Sequence, residues 1–577
     1  MTSSISRLPS NTLRHQDAAT EKPLAAANKP VIKMAGQPPT PPAPKLIIGQ
    51  HQRTLPSSSN PNPIPLLSFF TALITSKLSN PPLPSSVDPE LVLAGNFAPV
   101  DETPPTDCSV VHGQLPSSLD GVYIRNGPNP HLRPRGLAHH LFDGDGMLHS
   151  IRLSRGRATF CSRYVQSYKL KLERENGCAM IPSVFSGFYC LADVGRLVVA
   201  LARVVTGRIN LAQGFGLANT SVALFCNTLF AMIETDRPYA IRLTENGDIE
   251  TTGRFDFGGE APINMTAHPK VDSETGEVFS FQFFPFFPYL TFFRFDSNGS
   301  KRQKVPIFSM KKASYIHDFA LTKRYAIFPE SQLEVSAMNL MALKGMPMKF
   351  RPTAQPRIGI IPRNAESDSE MRWFTVPGFN AFHIINAWEE EDEDSIVLVV
   401  PRALSLENFL GRIEKVHFSL QKLRINMKSG AISSTLLSER SLELGSINAA
   451  YLGKKNRYLF MAVAEAVPKM SGVVKIDLES GREVASRSYG PGCFGGEALF
   501  VARDGAGDED DGFVVSYVHN EMANESQFVV MDAKSPALEV VAAVRLPGRV
   551  PYGFHGLFVG EKQLETVEPW PTGLSST

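Results

Sequence analysis

The sequence predicts a large antiparallel all-β protein whose repeated units surround one axis, and two observations carry that reading. The first is a succession of short β-rich runs, each closed by Gly, Lys or Ser turns, which begins near residue 100 and is clearest in the last hundred residues. The second is a set of four histidines, His268, His317, His383 and His555, each in a strand-like setting and scattered over the second half of the chain. Their spacing is far too wide for a zinc finger or a helical metal motif. Residues so separated converge only if the fold brings one from each of several units to a common place. Imidazole nitrogen suits iron, copper, zinc and nickel, and an all-nitrogen site with open positions suits redox-active Fe(II).

Taken in order, the elements begin with a region unlike the rest. Residues 1–35 are rich in Ser, Thr and Ala, with Arg7, Arg14, Lys22, Lys29 and Lys33 against Asp17 and Glu21, and they lack an apolar signal core. That composition predicts an organelle transit peptide, with a tail of no targeting role as the other reading. Residues 36–85 follow as a linker, with nine prolines between Gln37 and Pro65 favouring extended polyproline geometry. Leu66, Leu67, Phe69, Phe70, Leu73, Ile74 and Leu78 then recur at helical spacing in a short amphipathic helix. The folded body is expected over 86–577, and at this length a substantial core is assured.

Within the body, Leu191 to Val205 carries Leu197, Val198, Leu201, Val204 and Val205 at helical spacing, with Arg196 and Arg203 on a polar side. The pattern fits a lip inserted in a membrane interface, although a core-facing helix reads much the same. Phe281 to Phe295 packs eight phenylalanines into fifteen residues; most are expected in the β core, and a few could form an apolar wall for a ligand. Toward the C terminus, the runs at 457–466, 472–480, 483–490, 497–504, 513–520, 528–533 and 538–546 read as strands. Val473, Lys475 and Asp477 alternate only imperfectly with Val474, Ile476 and Leu478, as strands covered on both faces do.

Composition excludes several classes. A net charge of +1 leaves no electrostatic footprint for nucleic acid. The acidic runs Glu389 to Asp394 and Asp508 to Asp511 are expected to be solvated loops. Six cysteines without paired spacing point to reduced thiols rather than a disulfide framework. No stretch of about 18 apolar residues is present to span a bilayer.

The words around the histidines carry a resemblance. NFAPVDETPPTDC (96–108), GVYIRNGPNP (121–130), HLFDGDGMLH (140–149), FSGF (185–188), GLANTS (216–221) and TAHPK (266–270) occur in this order. PGCFGGEALFVARD (491–504), DDGFVVSYVHNE (510–521), VMDAKSP (530–536) and RVPYGFHGLF (549–558) close the series. Together they resemble the carotenoid cleavage dioxygenases. HDFALTKRYAIF (317–328) and VPGFNAFHIINAW (376–388) resemble the fourth plant type more than the epoxycarotenoid dioxygenases.

The resemblance implies a seven-bladed β-propeller with helices and long loops capping the substrate-access face. It also implies one Fe(2+) per chain on the axis, held by His268, His317, His383 and His555. Three carboxylates would support the ligand imidazoles, with Glu234 and Glu497 matching well and Glu443 less closely, because SLELGSINAAYLG departs from the usual wording. Seven blades would average about 68 residues, against about 40–50 in common propeller repeats, which implies long loops. The implied reaction uses O2 to split a double bond of a carotenoid or apocarotenoid, at 9,10 and/or 9',10', with no side-chain acid or base beyond the iron centre. Cleavage at 7,8 (7',8'), a stilbene or retinoid substrate, and a non-catalytic carotenoid-binding propeller are the alternatives. The implied setting is the plastid, at a plastoglobule or thylakoid membrane surface.

Overall fold

The computed structural model describes residues 82–567, apart from 133–136, 184, 258, 260–261, 336–345 and 392–393. The expected transit segment, the proline-rich linker up to residue 81 and the amphipathic helix at 66–78 lie outside the described residues, as do residues 568–577.

Seven antiparallel blades follow one another around an axis. The second runs from its inner strand outward as Ser221–Phe225, Thr228–Met232, Tyr239–Leu243 and Ile249–Arg254, each strand pairing with the next. The third has inner strand Lys270–Val271 and continues through Val278–Phe283, Leu290–Phe295 and Lys301–Ile307. The fourth has inner strand Ala320–Leu321, followed by Tyr325–Glu330, Arg357–Pro362 and Arg372–Thr375. The fifth starts at Asn386–Glu389 and ends in the long strand Ile432–Ser446, whose far half begins the sixth blade with Tyr458–Val463, Gly472–Asp477 and Arg482–Ser488. The seventh is built on Leu499–Ala502, Gly512–Asn520, Glu525–Asp532 and Val540–Arg545.

The first blade closes the ring from both ends of the chain. Its inner strand is the late segment Gly556–Gly560, which pairs with Gly121–Pro128, and Gly146–Ser154 and Arg157–Tyr164 follow outward. The strand Thr103–Gly113 then serves two blades. Its first half pairs with the first blade through Cys108 opposite Ala158, and its second half with the seventh through Ser109 opposite Arg545.

Apolar packing binds each blade to its neighbours, and this explains the faint alternation in the sequence. In Val278–Phe283 and Leu290–Phe295, Phe279, Phe281, Leu290 and Phe292 pack with Phe319 and Phe328 of the fourth blade. Val278, Phe293 and Phe295, on the other face, pack with Phe225 and Phe230 of the second. The pleat thus sends alternate residues into two different cores, so both faces need apolar side chains. Comparable clusters fill every junction, ending with Tyr123 and Phe160 against Tyr517 and Phe528 between the first and seventh blades. The late runs form strands where expected, and Gly472–Asp477 is buried along its whole length. Its Lys475 is accommodated by Asp510 and by the Ala533 carbonyl at 2.9 Å.

Two sequence expectations change here. The acidic runs are not simply solvated: Glu389 lies in an inner strand and binds Arg324 and Thr322, and Asp510 neutralises buried Lys475. The phenylalanine run lines no part of the axial cavity described below. Phe281, Phe292, Phe293 and Phe295 are core, whereas Phe284, Phe286 and Phe287 are exposed on the turn joining two strands.

Candidate metal centre

Each inner strand begins where the chain arrives at the axis, and the four histidines sit at those arrivals. His268 precedes Lys270–Val271, His317 precedes Ala320–Leu321, His383 precedes Asn386–Glu389, and His555 immediately precedes Gly556–Gly560. Their rings are near-perpendicular neighbours, with centroids 4.6 Å apart for His268 and His317, 4.6 Å for His268 and His555, and 4.8 Å for His383 and His555. One nitrogen from each lies within 4.8 Å of the others. Two imidazole nitrogens bonded from opposite sides to one ion at about 2.1 Å would be about 4.2 Å apart, so the set could hold a metal ion.

The three carboxylates occupy the remaining blades. Glu234 of the second blade binds His317 Nδ1. Glu443 Oε2 of the sixth accepts from His383 Nδ1 at 2.8 Å, and Glu497 Oε1 of the seventh from His555 Nδ1 at 2.9 Å. Every blade therefore contributes one residue: His555, Glu234, His268, His317, His383, Glu443 and Glu497 in ring order. With Nδ1 engaged by a carboxylate, the imidazole is fixed in the tautomer whose Nε2 is a free lone pair. His383 Nε2 is buried without any hydrogen-bond partner, the condition expected of a nitrogen awaiting an ion.

Burial shapes the electrostatics. His268 is held well below the usual imidazole range, first by desolvation and then by the other three imidazoles and Lys270. Burial works to raise Glu234 and Glu443, but the partner imidazoles His317 and His383 overcome it and hold both below the usual carboxylate value. The less familiar wording around Glu443 has a local counterpart. Leu444 adopts a left-handed backbone with φ 50°, and the pairing register shifts between Glu443 and Ser446, where one strand passes from the fifth blade into the sixth.

Polar contacts lace the inner strands into a closed belt at this level. His555 N–H donates to Thr220 O at 3.2 Å, Ser221 Oγ to Ala267 O, and Thr266 Oγ1 to His317 O at 3.1 Å. Ile384 N–H donates to Asp318 Oδ2 at 2.9 Å, and His383 reaches Glu443 as above. Ser446 Oγ donates to Ala498 O at 2.6 Å and Gly556 N–H to Glu497 Oε2 at 2.7 Å, completing all seven junctions. None of these hydroxyl residues was singled out from sequence. Tyr315 was missed too; its hydroxyl donates to Glu234 Oε1 at 3.4 Å and lies 3.4 Å from His317 Nδ1. Its place two residues before a candidate ligand was the available signal.

The centre lies in an apolar cavity bounded by Phe142, Phe185, Phe382, Phe409, Val467 and Phe554. Phe382 and Phe409 stack with centroids 3.6 Å apart, and Phe142 meets Phe554 edge-on at 5.7 Å. The loops over it share a core of Leu333, Leu406, Leu410, Ile413 and Phe418. The same face bears the helix Leu191–Val205, since the chain leads from it into the second blade's inner strand. Val198, Leu201 and Val205 are 56, 55 and 87 % exposed, while Leu197 and Val204 are half-buried, with Val204 against Met180 and Ile209. Ile263, Phe286 and Phe308 are exposed on other connections of that face. Among the described residues no helix is long and apolar enough to cross a membrane.

A propeller carrying four imidazoles and three supporting carboxylates on its axis defines a class of protein, and comparison with known proteins agrees. Residues 97–560 match the family model described as RPE65, retinal pigment epithelial membrane protein. The Arabidopsis thaliana protein named "Probable carotenoid cleavage dioxygenase 4, chloroplastic" is 52 % identical over 91 % of this chain and 91 % of its own. The Crocus sativus "Zeaxanthin 7,8(7',8')-cleavage dioxygenase, chromoplastic" is 48 % identical over 62 % of this chain and 99 % of its own. The Arabidopsis thaliana "Carotenoid 9,10(9',10')-cleavage dioxygenase 1" is 37 % identical over 87 % and 94 %. In fold, the lignostilbene dioxygenase of Pseudomonas brassicacearum superposes with a TM-score of 0.71 at 23 % identity, covering 83 % of this chain and 100 % of that one. This chain belongs to the carotenoid oxygenase family and is a carotenoid cleavage dioxygenase of the seven-bladed propeller fold.

Proposed function

We propose that the chain is an Fe(II)-dependent dioxygenase that cleaves a double bond of a carotenoid or apocarotenoid at 9,10 and/or 9',10'. The observation that carries this reading is the convergence of four imidazoles at an apolar cavity, with His383 Nε2 buried and unpartnered. His268, His317, His383 and His555 would hold the ion through nitrogen, and iron so held would supply the O2 activation that a dioxygenase needs. The protein's own work is positional. Glu234, Glu443 and Glu497 keep three imidazoles aimed, the inter-blade belt keeps their strands in place, and the phenylalanine walls exclude water and align a rigid polyene. Which bond rests beside the ion is then a matter of how deep the chain of double bonds can slide. The 7,8 (7',8') bond is the second reading, favoured by the Crocus relative's name.

We also assign the exposed apolar residues of the cavity face, Val198, Leu201 and Val205 foremost, to contact with a lipid surface from which an insoluble polyene is taken. Residues 1–35 serve as a plastid transit peptide, in keeping with the plastid labels of two relatives. The deciding experiment expresses the chain with Fe(II) in bacteria that accumulate β-carotene or zeaxanthin. An aldehyde or ketone fragment is expected, and its mass names the bond. Unaltered pigment beside soluble, iron-loaded protein overturns the assignment. His317→Ala is expected to abolish metal uptake and cleavage together while the circular dichroism of the propeller persists.

A further inference from the structure

We propose that Asp318 is a positioning residue for the metal centre: it ties three of the four histidine-bearing strands together and neutralises Lys270, which stands two residues from His268. The inference rests on the four-histidine metal reading above. Asp318 directly follows His317, and its carboxylate makes three contacts in three blades. Oδ1 accepts from its own neighbour's backbone, Phe319 N–H, at 2.7 Å. Oδ1 also meets Lys270 Nζ at 2.8 Å, and Lys270 stands two residues beyond His268 in the third blade. Oδ2 accepts from Ile384 N–H at 2.9 Å, and Ile384 directly follows His383 in the fifth blade.

This junction differs from the rest of the belt. Elsewhere a hydroxyl, a backbone amide or one of the carboxylates already paired with an imidazole crosses between blades. Here an additional ion pair is buried between residues that adjoin His268 and His317 in the chain, with the Asp318 side chain 3 % and the Lys270 side chain 13 % exposed. A buried ammonium close to a dication is repulsive, and the repulsion is strong where water cannot screen it. A carboxylate that engages the ammonium removes the penalty, while its second oxygen holds the amide that follows His383. Loss of Asp318 would therefore disturb the ligand frame in two ways, by freeing the backbone beyond His383 and by unmasking Lys270. Loss of Lys270 would leave net negative charge near the ion and favour it.

The test uses the full chain, freed of metal and titrated with Co(II) as a visible-absorbing probe against a competing chelator. Asp318→Asn is expected to weaken Co(II) binding about tenfold or more, the scale seen when residues supporting metal ligands are changed, and to shift the d–d absorption. Lys270→Met is expected to tighten binding about threefold. The double variant should regain part of the loss caused by Asp318→Asn alone. An Asp318→Asn protein with the affinity and spectrum of the unsubstituted chain, altered only in the melting temperature of its metal-free form, overturns the proposal. If Asp318→Asn fails to fold, Lys270→Met decides, since weaker binding by that variant refutes the charge argument. Should the unsubstituted chain take up no Co(II), the metal centre itself falls and the role of Asp318 with it.

Discussion

Glu497 engages His555 twice over, accepting from its Nδ1 at 2.9 Å with one oxygen and from the next backbone amide, Gly556 N–H, at 2.7 Å with the other. The carboxylate thereby fixes both the ring and the backbone that carries it, and does so from a different blade. Glu497→Gln keeps the shape but makes one terminal group a donor, and Glu497→Ala leaves two donors unanswered. Metal retention after dialysis against a chelator is expected to fall about 10-fold to 100-fold, further in the Ala variant. Elemental analysis of the dialysed proteins, compared with turnover, checks this.

Gly146 opens a first-blade strand against the segment leading to the second blade, with its amide donating to Leu217 O at 2.7 Å. A Cβ there would stand 2.1 Å from Ala218 O and 2.6 Å from its carbonyl carbon. Backbone cannot yield as a flexible side chain can, so Gly146→Ala is expected to cost about 2–3 kcal/mol of stability. Urea unfolding of the two proteins gives the value.

Three histidines outside the four-imidazole set make the fold acid-sensitive. Burial lowers His139 to about 4 and His140 to about 3, and burial aided by Arg125 and Arg549 lowers His149 to about 3. An unfolded chain protonates them near 6.5, so it binds more protons than the fold, and stability is lost as pH falls from about 6.5 toward 4. Each contributes a slope of about 1.4 kcal/mol per pH unit in that window. Asp143, pushed up to about 6 by burial, acts in the opposite sense between about 4 and 6, but alone against three. Neither ring nitrogen of His149 makes a well-formed hydrogen bond, so His149→Leu is expected to stabilise the protein and flatten the slope by one proton. Denaturant titrations at pH 7.5, 6 and 5 measure both effects.

Val198→Asp combined with Leu201→Asp places two charges on the exposed face of the helix Leu191–Val205. Flotation with liposomes is expected to drop at least about tenfold, since each side chain trades apolar burial for a charge that resists leaving water. Binding equal to that of the parent chain would sink the lipid-contact assignment.

The parts of this molecule that could be read in advance are those whose chemistry is unusual for their setting. Histidines in apolar strand-like runs stand out, and so do the late strands, because Gly and Ser turns punctuate them. The blade count could not be obtained from periodicity, since the inner strands Lys270–Val271 and Ala320–Leu321 are only two residues long and every blade is covered on both faces. Ser221, Thr266 and Ser446 look like ordinary strand residues until the fold shows which carbonyl each one meets across a junction. Glu443 was obscured for a related reason: its backbone turns left-handed at Leu444 to serve two blades, and local wording follows that turn rather than the carboxylate. The phenylalanine run misled because composition counts rings without saying which side of a turn each will face.

The closure of the first blade by Gly556–Gly560 has a genetic consequence. A nonsense codon shortly after Arg545 would spare nearly all of the coding sequence, yet the product would lack His555 and the innermost strand of its first blade at once. Such late-truncation alleles should behave as complete nulls, and a screen that dismisses them as mild would misjudge the gene.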